Sequence, residues 1–488
     1  MSSTPPEINI ITLNCWGLKY IAKYRNQRLS EIGRRIAIAE PVPHIVGLQE
    51  CWTHEDYQNI RKNTKHVLPY GKFYHSGIFG GGLAILSRWP IVESSMFRYP
   101  LNGRPTAFFR GDWYVGKGVA CASIQYGENS SKDIIEVFNT HMHAPYEREP
   151  NDSYLCHRTA QAWEISKLFR GAAERGHLVV GLGDFNMVPQ SLGHRLITTH
   201  SPVKDAWLSL YPNSSIGAAD DPQEKARQMP MPSADYNIKE NGITCDSILN
   251  TWRWTKDQQK LLGPDKPGIS ISLDKMDSKA KRLDYIFISS NPQSTTPEQD
   301  AFFIKSARVG MLFRHPTLQC SLSDHFSVEA TIAYSKYNDS VPSKYEPNIM
   351  NGVYLQSPRS SIFRPSTKNS KKYLPIYIYD EVLDLIHKYR RREQQQRRAR
   401  LLHFVASLIL SAGSTIAIWW ISQRYIIIIL MIFNALNLSA GVIDGLIGGL
   451  FMGSEIRALK EFEWEISNAK AISCGESHSI SQEDVKDW

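Results

Sequence analysis

Acids, amides and imidazoles recur along the first two thirds of the chain, each at the end of a short apolar run. Asn14 closes INIITLN and Glu50 closes HIVGLQE; His141 and His143 end VFNTHMHA; Asp184 and Asn186 end VVGLGDFN. Asp284 lies in KRLDYIFI, and Asp324 and His325 precede FSVEATIAY. Carboxylate and amide oxygens are hard ligands that suit Mg2+. A zinc site would lead with several His or Cys. Imidazole exchanges protons near neutral pH, so the same set holds the parts of a general acid–base centre beside a hard cation. Taken singly each residue says little: a strand-end Asp or Asn usually makes an Asx turn, and H-x-H recurs by coincidence. The information lies in their order.

The elements that must position them are short runs bounded by Gly, Pro, Asn and Asp. INIITLN, HIVGLQE, GGLAILS, GVACASI, IEVFNTHMH, HLVVGLGDF, RLDYIFI and FSVEATIAY read as strands. Residues Arg25 to Ala39 and Tyr154 to Ala173 read as helices. Many strands with few crossover helices predict an α+β fold, with sheets packed face to face and covered on the outside. No repeat of fixed period is visible.

The chain has 488 residues, a length that suits two to four domains. Its 21% charged, 42% hydrophobic and 11% aromatic residues exclude a disordered, collagen-like or disulfide-scaffold protein. Seven Cys without a CxxC argue against a structural zinc site or a disulfide framework and predict reducing surroundings. The start, MSSTPPEINIITLN, lacks the basic and long apolar regions of a signal peptide.

The net charge of +8 suggests an anionic partner, but its placement is uneven. Residues 388–400, KYRRREQQQRRAR, hold seven Lys or Arg against one Glu, whereas 454–488 hold four against eight Asp or Glu. The cations form one collar and not the face of a nucleic-acid binder, so no nucleic-acid partner is expected. Next, Leu401 to Ser422 contains no Asp, Glu, Lys or Arg; after Gln423 and Arg424, Tyr425 to Phe451 contains one Asp. Each run exceeds the roughly 20 residues that cross a bilayer core. The tight gap predicts a transmembrane hairpin, and the collar places both termini in the cytosol. The collar could also grip anionic lipid.

Gly441, Gly445, Gly449 and Gly453 recur every fourth residue, which suits close packing on the other hairpin helix or a homodimer contact. Asp444 and His403 are expected to reach the membrane interface. Residues 336–375 read as a Ser- and Pro-rich linker, and Tyr377 to Tyr389 as an extension of the first membrane helix or an interfacial helix. The expected division is a catalytic domain at 1–335, a juxtamembrane linker and polybasic helix at 336–400, spans at 401–422 and 425–451, and an acidic cytosolic tail at 452–488.

In this order, Asn…LQE…H-x-H…GDFN…LDYIF…SDH resembles the endonuclease/exonuclease/phosphatase superfamily, with the DNase-I-like fold, over about Asn9 to Tyr334. LNCWG, GGGLAILSRWPI, NTHMHAPY, GDWYVGKG and GITCDSILNTW look like neutral sphingomyelinases. The two C-terminal spans add a similarity to the fungal inositol phosphosphingolipid phospholipases C.

The resemblance implies a four-layer α/β sandwich carrying a two-helix membrane hairpin, and a phosphodiester between ceramide and a headgroup as the bond to break. It implies Mg2+ on Glu50 and Asn14, with Asp324 assisting the metal or orienting its loop. His325 would be the general base and Asp284 would fix its tautomer. Asp184 and Asn186 would orient water and phosphate. His143 would bind phosphate or protonate the leaving oxygen, with His141 in support. Asp112 and Lys117, in GDWYVGKG, are implied as a pair that changes position, and Lys117 could contact phosphate; the spacing is not that of a Walker A loop.

Nearly a hundred residues separate GDFN from LDYIF, and such an insertion is expected to shape the substrate mouth, though Trp252 and Trp254 suit ordinary packing equally well. The implied partners are a sphingolipid and activating anionic phospholipids (phosphatidylserine, cardiolipin or phosphatidylglycerol). The implied location is the endoplasmic reticulum membrane or the mitochondrial outer membrane. The alternatives are an inositol-phosphate phosphatase or nuclease of the same fold, and an inactive tethered scaffold. A nuclease should crowd its cations round the active mouth; a dead scaffold should have broken metal or base positions, yet competent residue types fill them all.

Overall fold

The computed structural model describes residues 7–127, 133–147, 151–289 apart from 265 and 267, 301–335, 353–354 and 373–475. Most of the expected linker and the end of the acidic tail lie outside these residues. The described chain divides into two units: Met1–Tyr99, Val115–Asp152 and Gln161–Lys372 form the first, and Pro100–Tyr114, Ser153–Ala160 and Tyr373–Trp488 the second.

The strands of the first unit are β1 (Glu7–Asn14), β2 (Ile45–Gln49), β3 (Tyr70–Tyr74), β4 (Leu83–Ser87), β5 (Ile91–Arg98), β6 (Gly118–Gln125), β7 (Ile134–His141), β8 (Leu178–Asp184), β9 (Val203–Asp205), β10 (Asp284–Ser289), β11 (Ala301–Gly310), β12 (Ser327–Ser335) and β13 (Val353–Tyr354). They form a seven-stranded sheet, β13-β11-β12-β1-β2-β4-β3, and a six-stranded sheet, β5-β6-β7-β8-β10-β9. The eight runs read as strands are β1, β2, β4, β6, β7, β8, β10 and β12. The others include the edge strands β3 and β5, whose residues are mostly exposed or half-buried. An edge strand with a wet face has no continuous apolar run to betray it.

Alternation along each strand serves two interfaces. Ile8, Ile10, Ile45, Leu83 and Ile85 meet Val137, Val180, Leu182, Ile286 and Ile288 in the core between the sheets. Leu13, Val46, Leu48, Ala84 and Leu86 face the other way, onto Leu29, Ile32, Ile36 and Ile60. Those last residues belong to α1 (Arg25–Ala37) and α2 (His54–Thr64). A capping box starts α2: Asp56 N donates to Thr53 Oγ1 (3.1 Å) and Thr53 N to Asp56 Oδ2 (3.2 Å).

On the six-stranded sheet lies α3 (Leu155–Glu174), whose Phe169 ring centroid is 5.3 Å from that of Phe138. The order helix, sheet, sheet, helix is the expected four-layer sandwich. The insertion before β10 folds into α4 (Leu192–His200), α5 (Ala206–Leu210), α6 (Pro222–Ala226), α7 (Ala234–Tyr236) and α8 (Lys256–Lys260) with their connecting loops. Trp254 is buried there with Leu262, Leu318 and Cys320, so this aromatic packs. Trp252 lies against Trp16, ring centroids 4.6 Å apart.

The second unit holds three long helices, α9 (Ile376–Ala417), α10 (Arg424–Leu446) and α11 (Met452–Ser473). The collar and the first apolar run are one helix: α9 passes from Tyr377 through the cations to Ala417 without a break. The apolar parts of α9 and α10 are long enough to cross a membrane and are largely unburied by protein. Val382, Ile386 and Tyr389 on α9 are buried, as are Leu459, Phe462 and Ile466 on α11, and the two helices pack together.

Part of the acidic tail is therefore a helix that pairs with one cation of the collar, Arg390. Glu463 binds His387 Nε2 (2.7 Å) and Arg390, and Glu455 accepts from Tyr389 Oη (2.8 Å). Asp444 and His403 meet each other (2.7 Å), and Asp444 also pairs with Arg400. The glycine face splits. A β-carbon at Gly441 would stand 2.4 Å from Ser407 Cβ and one at Gly445 2.9 Å from the Phe404 ring, whereas Gly449 and Gly453 meet nothing within 4 Å.

Candidate active site

Strand register gathers the polar residues. On β7, β8 and β10, His141 lies opposite Asp184, and Asp184 opposite Asp284. On the other sheet Asn14 at the end of β1 lies beside Gln49, one residue before Glu50, and β12 runs antiparallel to β1 directly after His325. Polar side chains thus leave both sheets at one end. Two buried amides clamp the sheets just beneath: Gln49 Nε2 donates to Asn139 Oδ1 (2.6 Å), and Asn139 Nδ2 to the carbonyls of Leu48 (3.0 Å) and Ala84 (2.9 Å).

At the centre His325 Nδ1 is 2.8 Å from Asp284 Oδ2, and both side chains are buried. Asp284 N and Leu283 N donate to Thr244 Oγ1, and Ser323 Oγ accepts from His325 N (3.2 Å) while donating to Asn14 O (2.6 Å). The far nitrogen, His325 Nε2, is 3.9 Å from Asp184 Oδ2. Asn14 Nδ2 bridges Asp184 Oδ2 (3.0 Å) and Glu50 Oε1 (3.3 Å). His141 Nε2 is 3.5 Å from Asp184 Oδ2. Asn186 Nδ2 and Lys117 Nζ both donate to Met142 O at 3.1 Å, and His143 N donates to Gln161 Oε1 (3.1 Å). Glu50, Asn186 and Trp16 hold φ of 52°, 48° and 47°. That left-handed backbone costs a residue with a β-carbon about 1 kcal/mol or more and clusters at functional sites.

The structure therefore brings Asn14, Glu50, Asp184, Asn186, Asp284, His325, His141, His143, Lys117 and Asp324 to one end of the first unit. Asp112, like Lys117, is buried.

Charge at the site is unbalanced. Desolvation works against a charged His325, but Asp284, Cys245 and Asp184 outweigh it and hold its pKa well above the usual 6.5. His141 is pushed well below that value by burial and by Lys117, His325 and His143, so it is neutral. Asp184 is pushed up to about 7 by desolvation, with Asp284 adding to it, despite the opposing effect of His325 and Asn14. Glu50 is raised by desolvation and then by the Asp324 carboxylate; Asp324 is raised by desolvation too.

Carboxylates crowded until they resist ionising are what a bound cation relieves, and their oxygens with the Asn14 amide suit a hard divalent ion. Atoms of Asp184, Asp284 and His325 that could ligate lie within 4.8 Å of one another. The 2.8 Å contact is a hydrogen bond that engages His325 Nδ1 and Asp284 Oδ2; Asp284 Oδ1 is buried without a hydrogen-bond partner among the described residues, while Asn14 Oδ1 accepts from Trp16 N (3.0 Å) and Asp324 Oδ1 from Ser323 Oγ (3.3 Å).

Sequence reasoning missed the groups that hold this set in place. Arg28 is fully buried and donates to the carbonyls of Cys15, Trp16, Lys23 and Leu322, stapling the loop after β1. Its only signal was a cation on the buried face of a helix. Gln49 sat beside Glu50 in LQE, and Asn139 interrupted the apolar run VFNTH.

A family model described as the endonuclease/exonuclease/phosphatase family matches residues 11–325. The chain is 39% identical over 468 residues to an inositol phosphosphingolipids phospholipase C of Schizosaccharomyces pombe, covering 96% of this chain and 95% of that one. It is 33% identical over 488 residues to the protein so named in Saccharomyces cerevisiae, covering 95% and 90%. Human sphingomyelin phosphodiesterase 2 is 34% identical over 201 residues, 41% of this chain and 46% of that one. The matched segment holds every residue of the site and the two fungal relatives match along nearly the whole chain, so the chain belongs to the endonuclease/exonuclease/phosphatase family and, within it, to the inositol phosphosphingolipid phospholipases C.

Proposed function

We propose that this chain is a Mg2+-dependent phospholipase C. It hydrolyses the phosphodiester that joins ceramide to the headgroup of inositol phosphosphingolipids, sphingomyelin or both, releasing ceramide and a phosphorylated headgroup. The observation that carries the reading is the buried His325–Asp284 pair in a chain similar along nearly its whole length to enzymes of that name.

Asp284 keeps a proton on His325 Nδ1; a cation held by the neighbouring carboxylates would offset the charge that keeps the imidazole protonated, leaving Nε2 to take a proton from water, and Asp284 stabilises the imidazolium that results. Asp184 and Asn186 orient the attacking water and the phosphate. His143 binds a phosphate oxygen or gives a proton to the departing ceramide oxygen, with neutral His141 behind it. Glu50 and Asn14 hold the cation, with Asp324 beside them. When bound, that ion neutralises phosphate charge as a Lewis acid. Lys117 adds a positive charge, and a change of position by Asp112 and Lys117 belongs to this reading.

The apolar helices tether the enzyme to the membrane that contains its substrate and raise the effective concentration. In the endoplasmic reticulum or mitochondrial outer membrane both termini are cytosolic. Lys388, Arg391 and Arg398 remain exposed on α9. They receive phosphatidylserine, cardiolipin or phosphatidylglycerol, which activate the enzyme. Gly449 and Gly453, open on one side, offer a homodimer contact.

The test is headgroup release by the purified full chain in mixed micelles of inositol phosphoceramide or sphingomyelin, with and without Mg2+. Release is expected to need Mg2+ and to be lost in His325→Ala. No release from either lipid, or release undiminished in the variant, overturns the reading.

A further inference from the structure

Two loops flank Glu50 at the catalytic end of the first unit. One follows β1 and runs from Cys15 to Tyr24. The other joins β3 to β4 at residues 75–82. Leu48 lies opposite Ala84 and Tyr74 opposite Leu83, so this second loop leaves the sheet at the end where Glu50 sits. Both are anchored at the base. Cys51 N donates to Gly82 O (3.0 Å). A β-carbon at Gly82, whose φ is +65°, would stand 3.1 Å from the Trp52 ring, and one at Gly17 2.2 Å from Glu50 O. Trp52 Nε1 in turn reaches Glu50 Oε2 at 3.5 Å. The buried Arg28 holds the first loop by the carbonyls of Cys15, Trp16 and Lys23.

Beyond these anchored bases the tips are apolar and exposed. Tyr20 is 91% exposed, Ile21 70%, Ile78 78% and Phe79 59%. Single exposed apolar residues are ordinary; adjacent pairs on two neighbouring loops beside a catalytic centre are not. Lys19 and Lys23 bracket the first pair, and Lys19 Nζ lies 5.7 Å from the Tyr20 ring. An aromatic and an aliphatic tip between lysines matches the layered chemistry of a bilayer surface, apolar inside and phosphate outside. The same chain carries helices long and apolar enough to span a membrane.

We infer that the tips Tyr20–Ile21 and Ile78–Phe79 insert into the lipid leaflet, with Lys19 and Lys23 on its phosphates, and so bring the mouth beside Glu50 down onto its lipid. The inference rests on the sphingolipid reading of the site. A soluble substrate needs no such contact. A lipid has to be drawn from its leaflet toward the catalytic groups, and loops anchored through Trp52 to a cation-binding residue would carry the mouth to the depth of the headgroup.

The test uses the full chain in nanodiscs of phosphatidylcholine and phosphatidylserine, with an environment-sensitive fluorescent amino acid encoded singly at Tyr20, Ile78 or Lys65. Lys65 is exposed at the end of α2, away from the mouth, and serves as the control. Brominated acyl chains are expected to quench the first two positions by about twofold or more, as for residues buried in the headgroup and acyl boundary, and to spare the third. Solvent-like, unquenched emission at Tyr20 and Ile78 overturns the inference. So does protection that depends on protein concentration and not on bromination, the sign of a second copy of the chain.

In parallel, I78D/F79D is expected to cut turnover of bilayer-presented substrate by about tenfold, because productive surface contact is lost, while turnover of a dispersed short-chain substrate stays within about twofold. Equal loss on both counts against insertion. Quenching is read without turnover, so insertion without sphingolipid hydrolysis would fail the proposed substrate and leave the membrane contact standing.

Discussion

Asp284 and Asp184 face each other across the β10–β8 register, yet only Asp284 binds His325 Nδ1, at 2.8 Å, while Asp184 Oδ2 lies 3.9 Å from Nε2. Two carboxylates from neighbouring strands thus take opposite edges of one imidazole. In the proposed mechanism the first sets its tautomer, and the second stands where Nε2 meets the reacting groups. Asp284→Asn is expected to lower headgroup release by about 10²- to 10⁴-fold, as when a triad carboxylate is lost. His325→Ala should fall at least as far, and the double variant little further, because the pair acts as a unit. Steady-state kinetics decide it: additive losses would mean that the two do not act together.

Glu50 is the expected anchor of the cation. Glu50→Gln removes the charge and keeps the shape, so the Mg2+ concentration for half-maximal activity is expected to rise about tenfold or more as a hard oxygen donor weakens. A Mg2+ titration of headgroup release reads this directly. An unchanged midpoint with lowered maximal rate would remove Glu50 from the metal site.

Asp205 is buried against Arg282 Nη1 (2.7 Å) and His194 Nε2 (3.1 Å), and it caps α5 by accepting from Trp207 N and Leu208 N. Burial alone would raise its pKa, but Arg282 and His194 hold it far below the usual 3.8. A depressed acid stabilises the fold above its unfolded value and loses that contribution as pH falls below it. Asp205→Asn leaves Arg282 buried and unpaired, a cost of about 3–5 kcal/mol. Scanning fluorimetry of the full chain in detergent should show a lower melting temperature for the variant at pH 7, and a gap that narrows below about pH 4, where Asp205 of the unfolded chain takes up a proton that the folded chain does not. A gap constant with pH would place the effect elsewhere.

The hairpin separates two glycines that look alike in sequence. Gly441 packs on Ser407, and Asn437 Nδ2 donates to Ser407 O nearby (3.1 Å); Gly449 faces open space. Gly441→Leu is expected to part α9 from α10 and lower the yield of folded protein in detergent. Gly449→Leu should spare folding and weaken self-association, read by crosslinking in membranes. The reverse pattern would move the dimer contact to the Gly441 side.

Much of this was legible because it is local. β1, β2 and β4 have apolar residues toward both the other sheet and a helix, so burial on two faces writes a continuous run. β3 and β5 have one wet face and left no such run. The Thr53–Asp56 capping box could have marked α2, but the short T-x-x-D signal has no apolar stripe of comparable strength behind it. Composition changes from cationic to apolar at Leu401 and leaves open whether Tyr377 to Tyr389 extends the first membrane helix or lies apart; the backbone carries one helix through.

By itself the sequence determined which chemistry was available: hard oxygen donors, one imidazole next to an Asp, two membrane-length helices and a cationic collar, each a property of residue type and spacing. Tertiary structure decided which groups meet. Asp284 and not Asp184 holds Nδ1, Gln49 finds Asn139 across the sheets, Arg28 staples a loop, and Glu463 comes to Arg390. Those choices depend on strand register and on desolvation by distant segments, and neither is encoded within any one stretch of chain.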